Sequence, residues 1–110
     1  KGLPWERAKA FNGAAVFSDF ISINQDEIND TLSLELSIND EITQTGSVEL
    51  MMYKPEEILS ELKTYTDLND GDIIMTGTPK GVGVIAKDAC FKGRVFNHNK
   101  EFVSACWTAI

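Results

Sequence analysis

The stretch "LSLELSI" (32–38) limits the fold more than any other part of the chain. Leu32, Leu34, Leu36 and Ile38 alternate with Ser33, Glu35 and Ser37. An extended backbone therefore puts four aliphatic side chains on one face and the polar ones on the other, which a helix could not do. Such a strand needs a bonded neighbour and cover on one face only. Asn39 and Asp40 follow, two residues that tolerate the left-handed backbone of a two-residue hairpin turn. "EITQTGSVEL" (41–50) then returns, with Ile42, Val48 and Leu50 expected in phase with the first strand. The chain is built on an antiparallel hairpin.

The rest of the sequence adds strands around it. "AAVFSDFISI" (14–23) has strand composition without strict alternation, and "NQDEIND" (24–30) reads as a polar loop. "DIIMT" (72–76) predicts a short buried strand. "ACFKGRVF" and "EFVSACWTAI" flank "NHNK" (97–100) as a closing hairpin with His98 exposed at its tip. Residues 5–10 suit one helical turn. The main helix is "KPEEILSELKTYT" (54–66): Pro55 fits the first turn, Glu56 and Glu57 face the positive end of the dipole, and Lys63 the negative end. Ile58, Leu59, Leu62 and Tyr65 form its apolar face. About six strands and one main helix make a strand-rich α+β fold in a single domain, residues 1–110.

Composition excludes some functions. The 110 residues carry a net charge of −7, which argues against nucleic acid as a partner. No apolar run approaches the ~20 residues that span a bilayer, so no membrane role is expected. Cys90 and Cys106 lie in apolar-aromatic company and read as two buried, reduced thiols; with one histidine, His98, they do not spell a zinc site. Met51, Met52 and Met75 read as core, and Trp5 as a packed aromatic.

"GDIIMTGTPKGVG" (71–83) is the stretch with chemical content. It is not a Walker phosphate loop, because Lys80 precedes the second glycine and no Ser or Thr follows. "GVGVIA" (81–86) fits the loose dinucleotide pattern, but it does not open a helix and no βαβ unit surrounds it. What is left is a loop at a strand end, with glycines and Pro79 that let the main chain approach a small anion. By composition alone, an ordinary wide turn explains the same residues.

Taken together, "KGLPWERAKAF" (1–11), "LSLELSINDEITQTG" (32–46) and "GDIIMTGTPKGVG" strongly resemble the fumarylacetoacetate hydrolase family, in particular its acylpyruvase-like branch. The resemblance covers nearly the whole chain, but only the C-terminal portion of the family's catalytic domain. It implies layered, rolled β-sheets and a homodimeric enzyme; the acidic charge is ordinary for a cytoplasmic protein, the location expected here. It also implies Mg²⁺ or Mn²⁺ as cofactor and a small α-keto acid as substrate. Such enzymes hydrolyse a carbon–carbon bond in an acylpyruvate or β-diketo acid and release a metal-bound pyruvate enolate; some relatives decarboxylate oxaloacetate, and others isomerise or hydrate related acids. On this resemblance Lys9 falls on the active-site lysine, a fixed positive charge near the substrate oxygens. Thr78 falls on the threonine that binds the substrate carboxylate, with Gly77 permitting the approach. Lys80 receives no role.

The family's metal ligands, an E-x-E pair and a later aspartate, lie upstream of the part matched here, as does the histidine–glutamate pair that activates water. Glu35 and Glu49 belong to other motifs, so no complete metal site is expected in this chain. The opening lysine, with no methionine, is expected to mark a truncation, and the chain alone is expected to be inactive. The other reading is a non-catalytic binding or structural module of the same fold. Two positions depart from the family: Asn39-Asp40 replaces the commoner Asn-Gly, and Gly13 replaces a threonine found in the fumarylacetoacetate-cleaving enzyme, which points away from that substrate.

Overall fold

The structure, a computed structural model, describes residues 6–110; Trp5 and the four residues before it lie outside that range. Six elements organise the described chain. Helix α1 (Glu6–Lys9) is one turn, and β1 (Leu32–Ile38) and β2 (Glu41–Ser47) form the first hairpin. Helix α2 (Pro55–Leu62) follows, then β3 (Cys90–Asn97) and β4 (Lys100–Thr108), with a short 3₁₀ turn at Gln25–Glu27. The four strands make one antiparallel sheet in the order β2-β1-β3-β4.

Both hairpins close on two residues with positive φ: Asn39 (51°) with Asp40 (67°), and His98 (48°) with Asn99 (63°). That is the turn whose twist matches the strands it joins. Asn39 also binds the sheet. Its backbone N–H donates to the Cys90 carbonyl at 2.8 Å, and its Oδ1 accepts the Cys90 N–H at 2.9 Å.

The strand register sorts the side chains. Leu34 stands between Gly46 and Val95, Leu36 between Gln44 and Gly93, and Ile38 opposite Phe91. Val95, Gly93 and Phe91 stand in turn against Val103, Ala105 and Trp107. This makes one face apolar, with the Phe91 and Trp107 rings stacked at 5.4 Å between centroids and Phe91 buried. The other face is polar: Ser33, Glu35 and Ser37 pair with Phe96, Arg94 and Lys92, and beyond them lie Ser104 and Cys106. Glu35 and Arg94, directly opposite, form an ion pair with side chains only 18% and 28% exposed, and the Arg94 guanidinium lies 5.4 Å over the Phe96 ring.

Helix α2 is tied to the end of β2 by Lys54. Its Nζ donates to the Val48 carbonyl (2.8 Å), the Glu49 carbonyl (3.2 Å) and Asp30 Oδ1 (3.1 Å), while the Glu57 carboxylate accepts the Lys54 backbone N–H at 2.7 Å. The helix stops at Leu62, short of the expected residue 66. Thr64 is the reason: its hydroxyl bonds the Glu61 carbonyl at 2.7 Å, and the Thr64 and Tyr65 amides bond three residues back rather than four, winding the end into a tight turn.

Five expectations need correction. "AAVFSDFISI" and "DIIMT" pair with no strand among the described residues, so they are not strands; β composition makes a ladder only where a neighbour offers free backbone groups. Ile42 is out of phase. A bulge opposite Leu36/Ser37 sets Ile42 against Ser37 on the polar face, 57% exposed. The thiols of Cys90 and Cys106 are free, as expected, but exposed rather than buried, because they stand on the polar face. The register places the two cysteines diagonally, since Cys90 faces Thr108 and Cys106 faces Lys92. Met52 and Met75 are exposed rather than core, and Leu59 and Tyr65 leave half of the α2 apolar face uncovered.

Candidate functional site

The glycine loop lies against β2. Gln44 and Gly46 project to the apolar face of the sheet, and both meet Pro79. Gln44 Nε2 donates to the Pro79 carbonyl at 3.2 Å. Gly46 leaves the space that the proline ring occupies; a Cβ there would stand 2.7 Å from Pro79 Cγ. Two residues further on, a Cβ at Gly81 would run into the carbonyl oxygen of Thr43, the bulge residue of β2. A glycine inside a strand pattern marks such a close backbone approach, so Gly46 carried a readable mark that sequence reasoning passed over. Gln44 carried none.

The motif's glycines do different things. Gly81 needs its lack of a side chain for packing and also adopts φ +112°. Gly77 has φ +114° with open space around it, so its requirement is conformational. Gly83 has neither constraint. The loop therefore has a base, residues 79–81, seated on β2, and an unsupported tip at Gly77 and Thr78.

That tip lies on the rim of a concavity of about 810 Å³. Leu32, Leu34 and Val95 from the apolar sheet face line it, and Met51, Tyr53 and Ile58 line it from the β2–α2 connection and the helix. Among the described residues its lining carries one charged group, Lys80 at the base of the loop. The arrangement offers backbone amides, a threonine hydroxyl and a cation beside an apolar wall, which suits a small organic acid with one carboxylate at the loop.

Gly77 and Thr78 thus come together at the rim. Lys9 ends α1, exposed, and is not among the residues lining this concavity. Glu35 is taken up by Arg94, and His98 is exposed in its turn. Among the described residues no three His, Cys, Asp or Glu side chains stand together as a metal-holding group. Among the described residues, the lining of the concavity contains no carboxylate. These residues do not fit Mg²⁺ or Mn²⁺, whose sites are built from carboxylate and other oxygen donors. Among the described residues, no helix is long and apolar enough to cross a membrane.

Comparison with known proteins agrees with the motifs. Residues 1–110 match the family model described as fumarylacetoacetate (FAA) hydrolase C-terminal. The chain is 38% identical over 88 residues to the mitochondrial oxaloacetate tautomerase FAHD1 of Homo sapiens, covering 80% of this chain and 40% of that protein. It is 33% identical over 95 residues to a fumarylpyruvate hydrolase of Ralstonia sp, covering 86% of this chain and 49% of that protein. Among solved structures it is similar to a protein of the fumarylacetoacetate isomerase/hydrolase type from Oleispira antarctica, with a TM-score of 0.90 and 29% identity over 99% of this chain and 50% of that one. The strand-rich α+β fold is shared with that structure. The chain spans about half the length, or less, of the proteins it matches.

Proposed function

The chain belongs to the fumarylacetoacetate hydrolase family, and from that premise we propose that it is the C-terminal portion of an enzyme that hydrolyses a carbon–carbon bond in an acylpyruvate or related β-diketo acid. One observation carries the reading. The loop "GDIIMTGTPKGVG" is seated on β2 so that Gly77, in a left-handed conformation, and Thr78 stand free at the rim of an apolar concavity.

In this reading the Thr78 hydroxyl and backbone N–H donate to the substrate carboxylate, and Gly77 keeps the approach open. Lys9 supplies a positive charge near the substrate oxygens. Water adds to the distal carbonyl, the carbon–carbon bond breaks, and the pyruvate enolate departs and takes up a proton. The charge on that enolate would be stabilised by Mg²⁺ or Mn²⁺ held by carboxylates outside these residues. The uncovered apolar side chains, Phe20, Met52 and Met75 among them, would be buried by further chain and by a second copy in a homodimer. Free thiols at Cys90 and Cys106 suit a reducing compartment, the cytoplasm in this proposal.

A second reading has support in the 38% identity to an oxaloacetate tautomerase. Keto–enol exchange of oxaloacetate passes through the same kind of enolate and would use the same carboxylate loop. The test is to assay acetylpyruvate cleavage and oxaloacetate tautomerisation, with and without Mg²⁺, for this chain and for the product of its complete reading frame. Metal-dependent cleavage by the complete product supports the hydrolase. Tautomerisation alone favours the second reading, and neither activity leaves a non-catalytic module. Thr78→Val should raise KM at least about tenfold in whichever reaction is found, since a hydrogen bond to a charged group is lost.

A further inference from the structure

We infer that Gln44 is the positioning residue of the carboxylate loop: its side-chain amide on β2 sets the orientation in which Thr78 meets its ligand. The inference rests on the carboxylate-binding reading of Gly77 and Thr78.

Gln44 lies on β2 opposite Leu36 and donates Nε2 to the Pro79 carbonyl at 3.2 Å. A carbonyl can only accept, so the amide nitrogen must be the group facing it. The Gln44 hydrogen bond goes to the base of the loop and not to its tip. Its influence travels through a short run of stiff geometry. Pro79 has its φ fixed by the ring. The Thr78–Pro79 peptide is planar. Thr78, preceding a proline, is held to extended backbone. The ring of Pro79 is confined by Gly46, and Gly81 is confined by the Thr43 carbonyl. Together with these two contacts, the hydrogen bond from Gln44 ties the Pro79 carbonyl to β2, so that the whole proline, and with it the planar peptide that carries Thr78, stays seated on the strand. Gly77 has nothing within 4 Å of where a side chain would be and can supply no such constraint. Thr78 therefore takes its orientation from the proline side, and the proline side takes it from Gln44.

Three variants test this: Gln44→Leu removes the donor, Gln44→Glu keeps the shape but offers an acceptor to an acceptor, and Gln44→Lys restores a donor. Two measurements are made on each. One is the backbone amide spectrum of the 110-residue chain. The other is steady-state cleavage of acetylpyruvate by the Mg²⁺-supplemented product of the complete reading frame. Gln44→Leu and Gln44→Glu should move the amide resonances of Gly77, Thr78, Lys80 and Gly81 and raise KM about fivefold with kcat unchanged, the pattern of lost ground-state binding through one neutral hydrogen bond. Gln44→Lys should bring both back toward wild type. An unchanged KM in Gln44→Leu, or a fall in kcat with KM unchanged, overturns the inference. So does a Gln44→Lys variant no better than Gln44→Leu. If the unsubstituted protein cleaves no acetylpyruvate, the functional reading fails instead. The spectra still decide the positioning: loop amides that stay in place in Gln44→Leu refute it, and amides that move and return in Gln44→Lys uphold it.

Discussion

Gly46→Ala puts the seating of the glycine loop to a direct test. The new Cβ would stand 2.7 Å from Pro79 Cγ and 3.3 Å from Pro79 Cβ, where carbon atoms normally rest about 3.5–4.0 Å apart. The overlap is close to an ångström, and neither partner is soft. The proline ring cannot rotate away, and its carbonyl is held by Gln44. The strand at Gly46 is paired with Leu34. Relief requires the loop to lift, which gives up the Gln44 bond at about 1 kcal/mol and uncovers the Pro79 ring at about 0.8 kcal/mol per methylene, or the strand to bend, an overpacking strain of about 1–3 kcal/mol. Alanine recovers about 0.5–1 kcal/mol through its lower backbone entropy in the unfolded chain. The net expectation is a loss of about 1–2 kcal/mol. At about 4–8 °C per kcal/mol for a domain of this size, the midpoint of thermal unfolding should fall by roughly 4–16 °C. Gly83→Ala is the matched control, with open space and no left-handed backbone, and should stay within about 0.5 kcal/mol of wild type. Calorimetry on both variants decides the matter. A Gly46→Ala chain that melts with wild type would mean that the loop does not rest on β2, and the argument built on Gln44 would fall with it.

Asp40→Gly should stabilise the chain by about 0.5 kcal/mol, because glycine removes the left-handed strain at φ 67° but brings back unfolded-state entropy; Asn39→Gly should destabilise, since it deletes the bond to the Cys90 amide, and denaturant titration compares the two. Glu35→Gln should cost about 1–3 kcal/mol by leaving the half-buried Arg94 without its charge partner, and a double-mutant cycle with Arg94→Met in the same titration should recover part of that loss. Both thiols should react with a small disulfide reagent in the native protein without denaturant, because Cys90 and Cys106 are exposed; two slow thiols would return them to the core.

The parts of the fold that were legible in the sequence are those set by alternation and turn chemistry. Leu32 to Ile38 could only be a strand with one apolar face, and Asn39-Asp40 could only turn. The closing hairpin was readable for the same reason. What misled was strand composition without a partner. Ile73 and Ile74 look like a strand, yet a strand is a relation between two backbones, and no described segment pairs with "DIIMT". Ile42 misled differently: one extra residue in β2 turns every side chain before it to the opposite face, and a bulge leaves no mark in residue type. The cysteines were assigned from their neighbours in sequence, although on a strand the adjacent residue faces the opposite way. At the candidate site, Gly77 and Thr78 were singled out through a motif. The seat beneath them was not, because Gln44 meets Pro79 only after the chain has folded back across 35 residues.

Strand β2 is also the outermost strand of its sheet, and an outermost strand is where a second molecule can add itself by backbone pairing. The bulge at Thr43 and the loop packed over Thr43, Gln44 and Gly46 interrupt that edge. The loop assigned here to hold a ligand therefore doubles as a guard against self-association. Substitutions that lift it should show first as turbidity rising with protein concentration, before any change at the rim is measurable.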